Sequence, residues 1–221
     1  MDFDLDKIPF YKKALSYIKP VWLKNEHSVL NPGLELLLYN GRFQLATNDA
    51  LYSDGEHYTP AVSAVNRLKP YLPGVKSVLV LGVGLGSIVQ VIKKNGFDPR
   101  FTLVEIDKVI LKLALEFLST TSNAVMEPIC ADAKDFIEKN KDKFDLIFID
   151  IFDSRTVPQF VSSPTFLTLC RGSLTPGGRV VWNYIINDEQ EWKRTLKEFS
   201  AIFPDNEIIQ SDTNRIFIAK A

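Results

Sequence analysis

Asp150 and Asp153 stand three positions apart, directly after the apolar run Phe144 to Ile149. Two carboxylates in such a setting can bind an amine, hold it in line with an electrophilic carbon and accept its proton. Asp153 can equally start a turn with Ser154, whereas Asp150 closes an apolar strand and has no comparably simple structural duty. Upstream, Leu81-Gly82-Val83-Gly84-Leu85-Gly86-Ser87 joins an apolar run to a helical one. Its glycines let the backbone turn sharply and come close to a ligand. A nicotinamide fingerprint asks for Gly or Ala five positions after Gly82, and that position is Ser87, so the loop fits a nicotinamide poorly. Glu105 follows Gly82 by 23 positions and ends the next strand, where a carboxylate accepts hydrogen bonds from both hydroxyls of a ribose. Ile106 can pack on an adenine, and Asp107 can cap the following helix. Asp132, in Cys130-Ala131-Asp132-Ala133, either accepts the exocyclic amine of adenine or caps a helix, and both readings stand.

These residues need elements to position them, and the chain supplies an alternating series. Strands are expected at 77–81, 101–105, 125–130, 144–149 and 179–186, with helices at 87–95, 108–118, 134–140, 164–172 and 188–203. A closing hairpin pairs 207–210 with 215–219 over Ser211 to Asn214, and Thr175-Pro176-Gly177-Gly178 reads as a turn. Strands separated by helices predict a doubly wound, mostly parallel sheet of seven strands covered on both faces, with a nucleotide-like ligand at the carboxyl ends of its strands. Before it lies a small region, 1–75, with a helix at 7–19, strands at 34–39 and 42–46 around Asn40-Gly41, a turn at Thr47-Asn48-Asp49, and a helix starting at Thr59-Pro60. The expected division is 1–75 and 76–221.

Composition narrows the function classes. The 221 residues carry 26 basic and 27 acidic side chains, a net charge of -1, which offers no general attraction to nucleic acid or an anionic membrane. No apolar run approaches the roughly 20 residues of a membrane span. Met1 to Asp6 holds three aspartates and no basic apolar leader, which points to the cytoplasm. Cys130 and Cys170 lie 40 positions apart and the histidines number two, so no metal site is expected.

Taken together, Gly82-Val83-Gly84-Leu85-Gly86, Val104-Glu105-Ile106-Asp107, Ala131-Asp132-Ala133, Phe144 to Asp150 and Pro176-Gly177-Gly178 resemble the spermidine synthase family, within the class I methyltransferase fold. The resemblance covers roughly 41–186, and 41–58 resembles the family's hairpin and gatekeeping segment. It implies that Gly82, Val83, Gly84, Gly86, Glu105, Ile106, Asp132, Ala133 and Asp150 bind an adenosine-bearing cofactor. It also implies that Asp150, with Asp153, handles the acceptor amine, and that the protein forms a homodimer. Departures accompany the matches. Leu85 stands where aminopropyltransferases carry an aspartate for the ammonium of decarboxylated S-adenosylmethionine, Pro60 replaces a glutamate, and Ser154 replaces a proline. Asn183-Tyr184 resembles part of the amine-binding tetrad of adenine methylases but lacks its prolines and follows a different strand, so it is given no role. The expectation is therefore methyl transfer from S-adenosylmethionine to a small-molecule or protein amine. Aminopropyl transfer from the decarboxylated donor, with Asp153 or Glu56 replacing the missing carboxylate, is the alternative. A non-catalytic nucleotide-binding member is the third reading.

Overall fold

The computed structural model describes residues 3–47, 50–211 and 213–221. Its main sheet has seven strands. Five are parallel: β5 (Ser77–Leu81), β6 (Arg100–Glu105), β7 (Met126–Cys130), β8 (Phe144–Ile149) and β9 (Leu174–Ile185). The antiparallel hairpin β10 (Asn206–Ser211) and β11 (Asn214–Lys220) extends it beyond β9, giving the order β10-β11-β9-β8-β5-β6-β7. β5 and β8 are apolar from Val78 and Leu146 onward because they lie at the centre, covered on both faces. β7 tolerates Pro128 because it is an edge strand.

Helices α2 (Thr59–Leu68), α3 (Ser87–Lys94) and α4 (Lys108–Thr121) cover one face through Val65, Leu68, Val89, Ile92, Ala114 and Leu118. Helices α5 (Ala133–Lys139), α6 (Pro164–Gly172) and α7 (Glu189–Ile202) cover the other, where Trp182, Phe199 and Phe217 form an aromatic core. Among the described residues no helix is long and apolar enough to cross a membrane. Thr175 to Gly178 is an excursion within β9, since the ladder steps from Phe144–Leu174 directly to Leu146–Arg179. The chain leaves β5 for β6 and β7 on one side, then returns to β8 on the other. The β5 and β8 carboxyl ends therefore flank the point where strand order reverses.

The N-terminal part is more regular than its sequence suggested. A four-stranded antiparallel sheet runs β1 (Val21–Glu26), β2 (Leu34–Tyr39), β3 (Arg42–Ala46) and β4 (Leu51–Ser53). Asn40 and Gly41 both take positive φ, as a two-residue hairpin turn requires. Asn48 and Asp49, in the expected second turn, lie outside the described residues. β1 and β4 escape a periodicity reading because they are edges, and Trp22 of β1 is 57% exposed. The expected helix at 7–19 shrinks to α1 (Phe10–Ser16), and its expected apolar stripe divides: Ile8 and Leu15 pack on the N-terminal core, whereas Tyr11 and Ile18 are 65% and 81% exposed.

This sheet packs Leu36, Leu38, Phe43 and Leu45 onto Ile110, Leu113 and Phe117 of α4. Asp107 latches the segment between β1 and β2 to the same helix. Its Oδ1 caps α4 by accepting from Val109 N at 2.8 Å, and its Oδ2 accepts from Asn31 Nδ2 at 2.7 Å and from Ser28 Oγ. Asn31 Oδ1 in turn accepts from Tyr52 OH at 3.0 Å. Replacing this buried carboxylate removes a cap and strands two polar partners. Asp107→Ala should therefore lower stability by about 2–3 kcal/mol in denaturant unfolding. An unchanged midpoint would contradict the latch.

Candidate active site

The carboxyl ends of β5, β6, β7 and β8 open into one cavity of about 750 Å³, closed on the far side by the N-terminal segment through Asn31, Tyr52 and Tyr58. The loop after β5 can approach its neighbours only as glycine. At Gly82, φ is +86° and a side-chain carbon would overlap the Asp150 carbonyl oxygen. At Gly84, φ is +54° and the same atom would lie 2.6 Å from the Tyr52 carbonyl oxygen. The sequence suggested that these glycines make room for a ligand. The structure shows that they also let the loop dock against the β8 end on one side and β4 on the other.

Glu105 is buried at the end of β6 and holds that loop from below. Its Oε2 accepts from Val83 N at 2.9 Å and its Oε1 from Asp107 N at 3.0 Å. Burial pushes its carboxyl above the ordinary value, and the two backbone donors pull it back. Each oxygen keeps a further lone pair. Ile106 is 50% exposed, an apolar face beside that carboxylate. Asp132 caps α5 by accepting from Lys134 N at 2.7 Å, as one sequence reading had it, and it also lines the cavity.

Asp150 sits across the cavity at the end of β8, its amide donating to Leu81 O at 2.8 Å. Its Oδ1 accepts from Asn183 Nδ2 at 2.8 Å and Tyr58 OH at 3.1 Å. Desolvation pushes its carboxyl up from the ordinary 3.8 to about 6, against the pull of those two donors. Tyr58 is held well above its usual value, first by burial and then by the adjacent carboxylate, so it stays a phenol that donates. Asp153 is exposed at the cavity rim and closes a tight turn. It exchanges backbone hydrogen bonds with Thr156 at 2.9 Å, and Ser154 has φ +56°.

Of the residues singled out by sequence, Gly82, Val83, Gly84, Glu105, Ile106, Asp132, Ala133, Asp150 and Asp153 line the one cavity. Gly86 does not. It precedes α3 with φ +78° and faces Leu118, so its duty is to start the helix against α4. Leu85 needs correction as well. It is fully buried with Leu36, Leu38 and Phe117 and does not line the cavity, so its side chain is no guide to how the cavity treats an ammonium. Glu56, the suggested substitute carboxylate, instead pairs with Lys94 at 2.7 Å, away from the lining. Asn183 was set aside on sequence yet contacts Asp150 directly. Its signals were a polar residue inside an apolar, aromatic strand and the partial likeness of Asn183-Tyr184 to an amine-binding tetrad. Among the described residues no group of three or more His, Cys, Asp or Glu is arranged to hold a metal ion.

Comparison with known proteins bears on the sequence-based alternatives. A probable polyamine aminopropyl transferase of Bifidobacterium longum is 30% identical over 174 residues, covering 75% of this chain and 37% of that protein. A polyamine aminopropyltransferase of Prochlorococcus marinus is 28% identical over 182 residues, covering 80% of this chain and 60% of that one. The chain thus spans less than two thirds of the length of these relatives. The fold is shared with spermidine synthase from Thermotoga maritima, with a TM-score of 0.70 at 18% identity over 90% of this chain and 72% of that one. It is also shared with human methyltransferase-like protein 13, with a TM-score of 0.62 at 22% identity over 74% and 80%. The expectation of a methyltransferase is overturned by the aminopropyltransferase relatives, and the argument from Leu85 that had favoured it fails on the buried position of that side chain. The model of the spermine/spermidine synthase domain matches residues 64–207, from within α2 into β10 and across the whole parallel sheet, and the chain belongs to that family.

Proposed function

We propose that this chain carries an aminopropyl-transfer site that takes decarboxylated S-adenosylmethionine as donor and a polyamine as acceptor. The observation that supports it most is Asp150, held by Tyr58 and Asn183 across one cavity from Glu105. The charge of the cavity agrees. Asp54, Glu105, Asp132, Asp150 and Asp153 line it against a single arginine, Arg155, among the described residues. Such a wall suits a cationic donor and a cationic acceptor. Asp54 is already engaged by Arg42 at 3.1 Å and Gln44 at 2.7 Å, so the remaining four carry the unbalanced charge.

The donor, when bound, supplies a carbon activated by its sulfonium: the amine lone pair forms the C–N bond, the C–S pair leaves on sulfur as the neutral thioether methylthioadenosine, and nitrogen sheds a proton. Glu105 holds the ribose on its remaining lone pairs, Ile106 covers one adenine face and Asp132 receives the exocyclic amine. Tyr58 and Asn183 both bond Asp150 Oδ1, which leaves Oδ2 to meet the acceptor nitrogen. Asp150 takes the proton. With its carboxyl pushed up to about 6 it is a stronger base than an ordinary aspartate, yet still ionised at neutral pH.

The test is incubation with the decarboxylated donor and a diamine, reading methylthioadenosine and aminopropylated amine by mass spectrometry. Asp150→Asn should lower kcat/KM by about 10²–10⁴. An elevated carboxyl pKa means that the ionised form is disfavoured in the fold. Stability from this group is full below the ordinary 3.8 and is lost as pH rises through about 6. Asp150→Asn should therefore unfold at equal or higher denaturant than wild type at pH 8. No product from wild type, or full activity in the variant, would refute the proposal. In calorimetry, Glu105→Gln should weaken decarboxylated donor and methylthioadenosine alike, about tenfold or more, because both carry the ribose. A loss confined to one of them would put Glu105 elsewhere.

A further inference from the structure

Behind Asp150 lies a row of two uncharged amides, Asn183 and Asn214, of which the proposed chemistry uses only the first. Asn183, on β9, is 4% exposed. Its Nδ2 donates to Asp150 Oδ1 at 2.8 Å and to Tyr58 OH at 3.1 Å, and its Oδ1 accepts from Asn214 Nδ2 at 2.7 Å. Asn214 opens β11, opposite Ile185 of β9, and lines the cavity. Its own Oδ1 accepts from Thr213 Oγ1 at 3.3 Å.

A primary amide has a donor end and an acceptor end of nearly equal size. Which end of Asn183 faces Asp150 therefore depends on both partners, the carboxylate that draws the N–H end and the group that meets the other end. A donor at Asn214 turns Oδ1 of Asn183 away and Nδ2 toward Asp150, the arrangement that supports an ionised carboxylate. Reversing both amides would present Oδ1 to Asp150 and favour its protonated form.

We propose that Asn214 is a positioning residue: acting through Asn183, it aims an N–H at Asp150 and keeps that carboxylate ionised and aligned for the acceptor's proton. The inference rests on the proposed role of Asp150. The other charged or titratable groups around the cavity are Tyr52 of β4, Asp54, His57 and Tyr58 from the segment entering α2, Glu105 and Asp132 at the ends of β6 and β7, and Asp153 and Arg155 of the loop after β8. Among the described residues the β10–β11 hairpin adds only the uncharged Thr213 and Asn214 to the lining.

The test follows the Asp150 carboxyl carbon by NMR titration of the intact protein labelled with ¹³C-aspartate, the signal being assigned by its loss in Asp150→Asn. Wild type, Asn214→Leu, Asn183→Leu and the double variant are compared. Each single variant should raise the midpoint by roughly half a pH unit or more, since each weakens a donor to the ionised form. The double variant should titrate with Asn183→Leu, because Asn214 acts only through Asn183. An unchanged midpoint in Asn214→Leu, or an independent increment from it in the double variant, would overturn the proposal. Should Asn183→Leu fail to fold, Asn183→Ala takes its place in the cycle. The readout needs no turnover, so absence of aminopropyl transfer would defeat the proposed function and leave this relay standing, and a failed relay would leave the function standing.

Discussion

A carboxylate at the inner end of a buried strand must find donors or give up its charge. Asp150 finds two, and they come from opposite ends of the chain. Tyr58 arrives from the segment between β4 and α2, and Asn183 from β9, beyond the return crossover. Meeting at one oxygen ties the N-terminal sheet, the centre of the parallel sheet and its C-terminal extension to the same point. The Gly82 backbone closes on the carbonyl of that same aspartate, so the glycine loop takes its position from Asp150 as well. Burial at this meeting point pushes the carboxyl up to about 6 against the pull of the two donors, a value useful for taking a proton.

A pair of carboxylates, Glu105 and Asp107, does the corresponding work at the other end of the cavity. Glu105 and Asp107 are both buried, and between them they engage the amides of Val83, Asp107 and Val109 and the side chain of Asn31. Glu105 sets the height of the glycine loop. Asp107 draws the β1–β2 segment over the cavity, so the cavity acquires its far wall from residues with no sequence proximity to the sheet. The two ends of the cavity are thus built alike. In each, an acidic side chain at a strand end serves first to organise backbone and neighbours, and its remaining lone pairs face the open space.

The parallel sheet was legible because each of its signals is local. Ser77–Leu81 and Phe144–Ile149 are built on the apolar runs Val78 to Leu81 and Leu146 to Ile149, and Pro164 and Gly172 bracket α6, so the structure places all three where the sequence did. The N-terminal sheet was half legible, since β2 and β3 carry alternation and an Asn-Gly turn whereas the edge strands β1 and β4 do not. Charged site residues at strand ends announced themselves. Asn183 did not, because an uncharged amide in a Trp-Asn-Tyr run carries meaning only through what it touches. Leu85 misled for a related reason. Direction within a glycine-rich turn depends on positive φ at Gly84 and Gly86, and residue type alone could not show that position 85 points into the core beneath the N-terminal sheet.

The central claim is that the buried, elevated carboxyl of Asp150 receives the acceptor's proton. The pH dependence of kcat/KM for the acceptor, measured in wild type and Asp150→Asn with the decarboxylated donor saturating, tests it most directly. The account predicts a wild-type rate that falls with unit slope below pH about 6, as the carboxylate becomes protonated, and a residual rate in the variant without that limb. A limb that persists at the same pH in Asp150→Asn would show that another group takes the proton and would contradict the account.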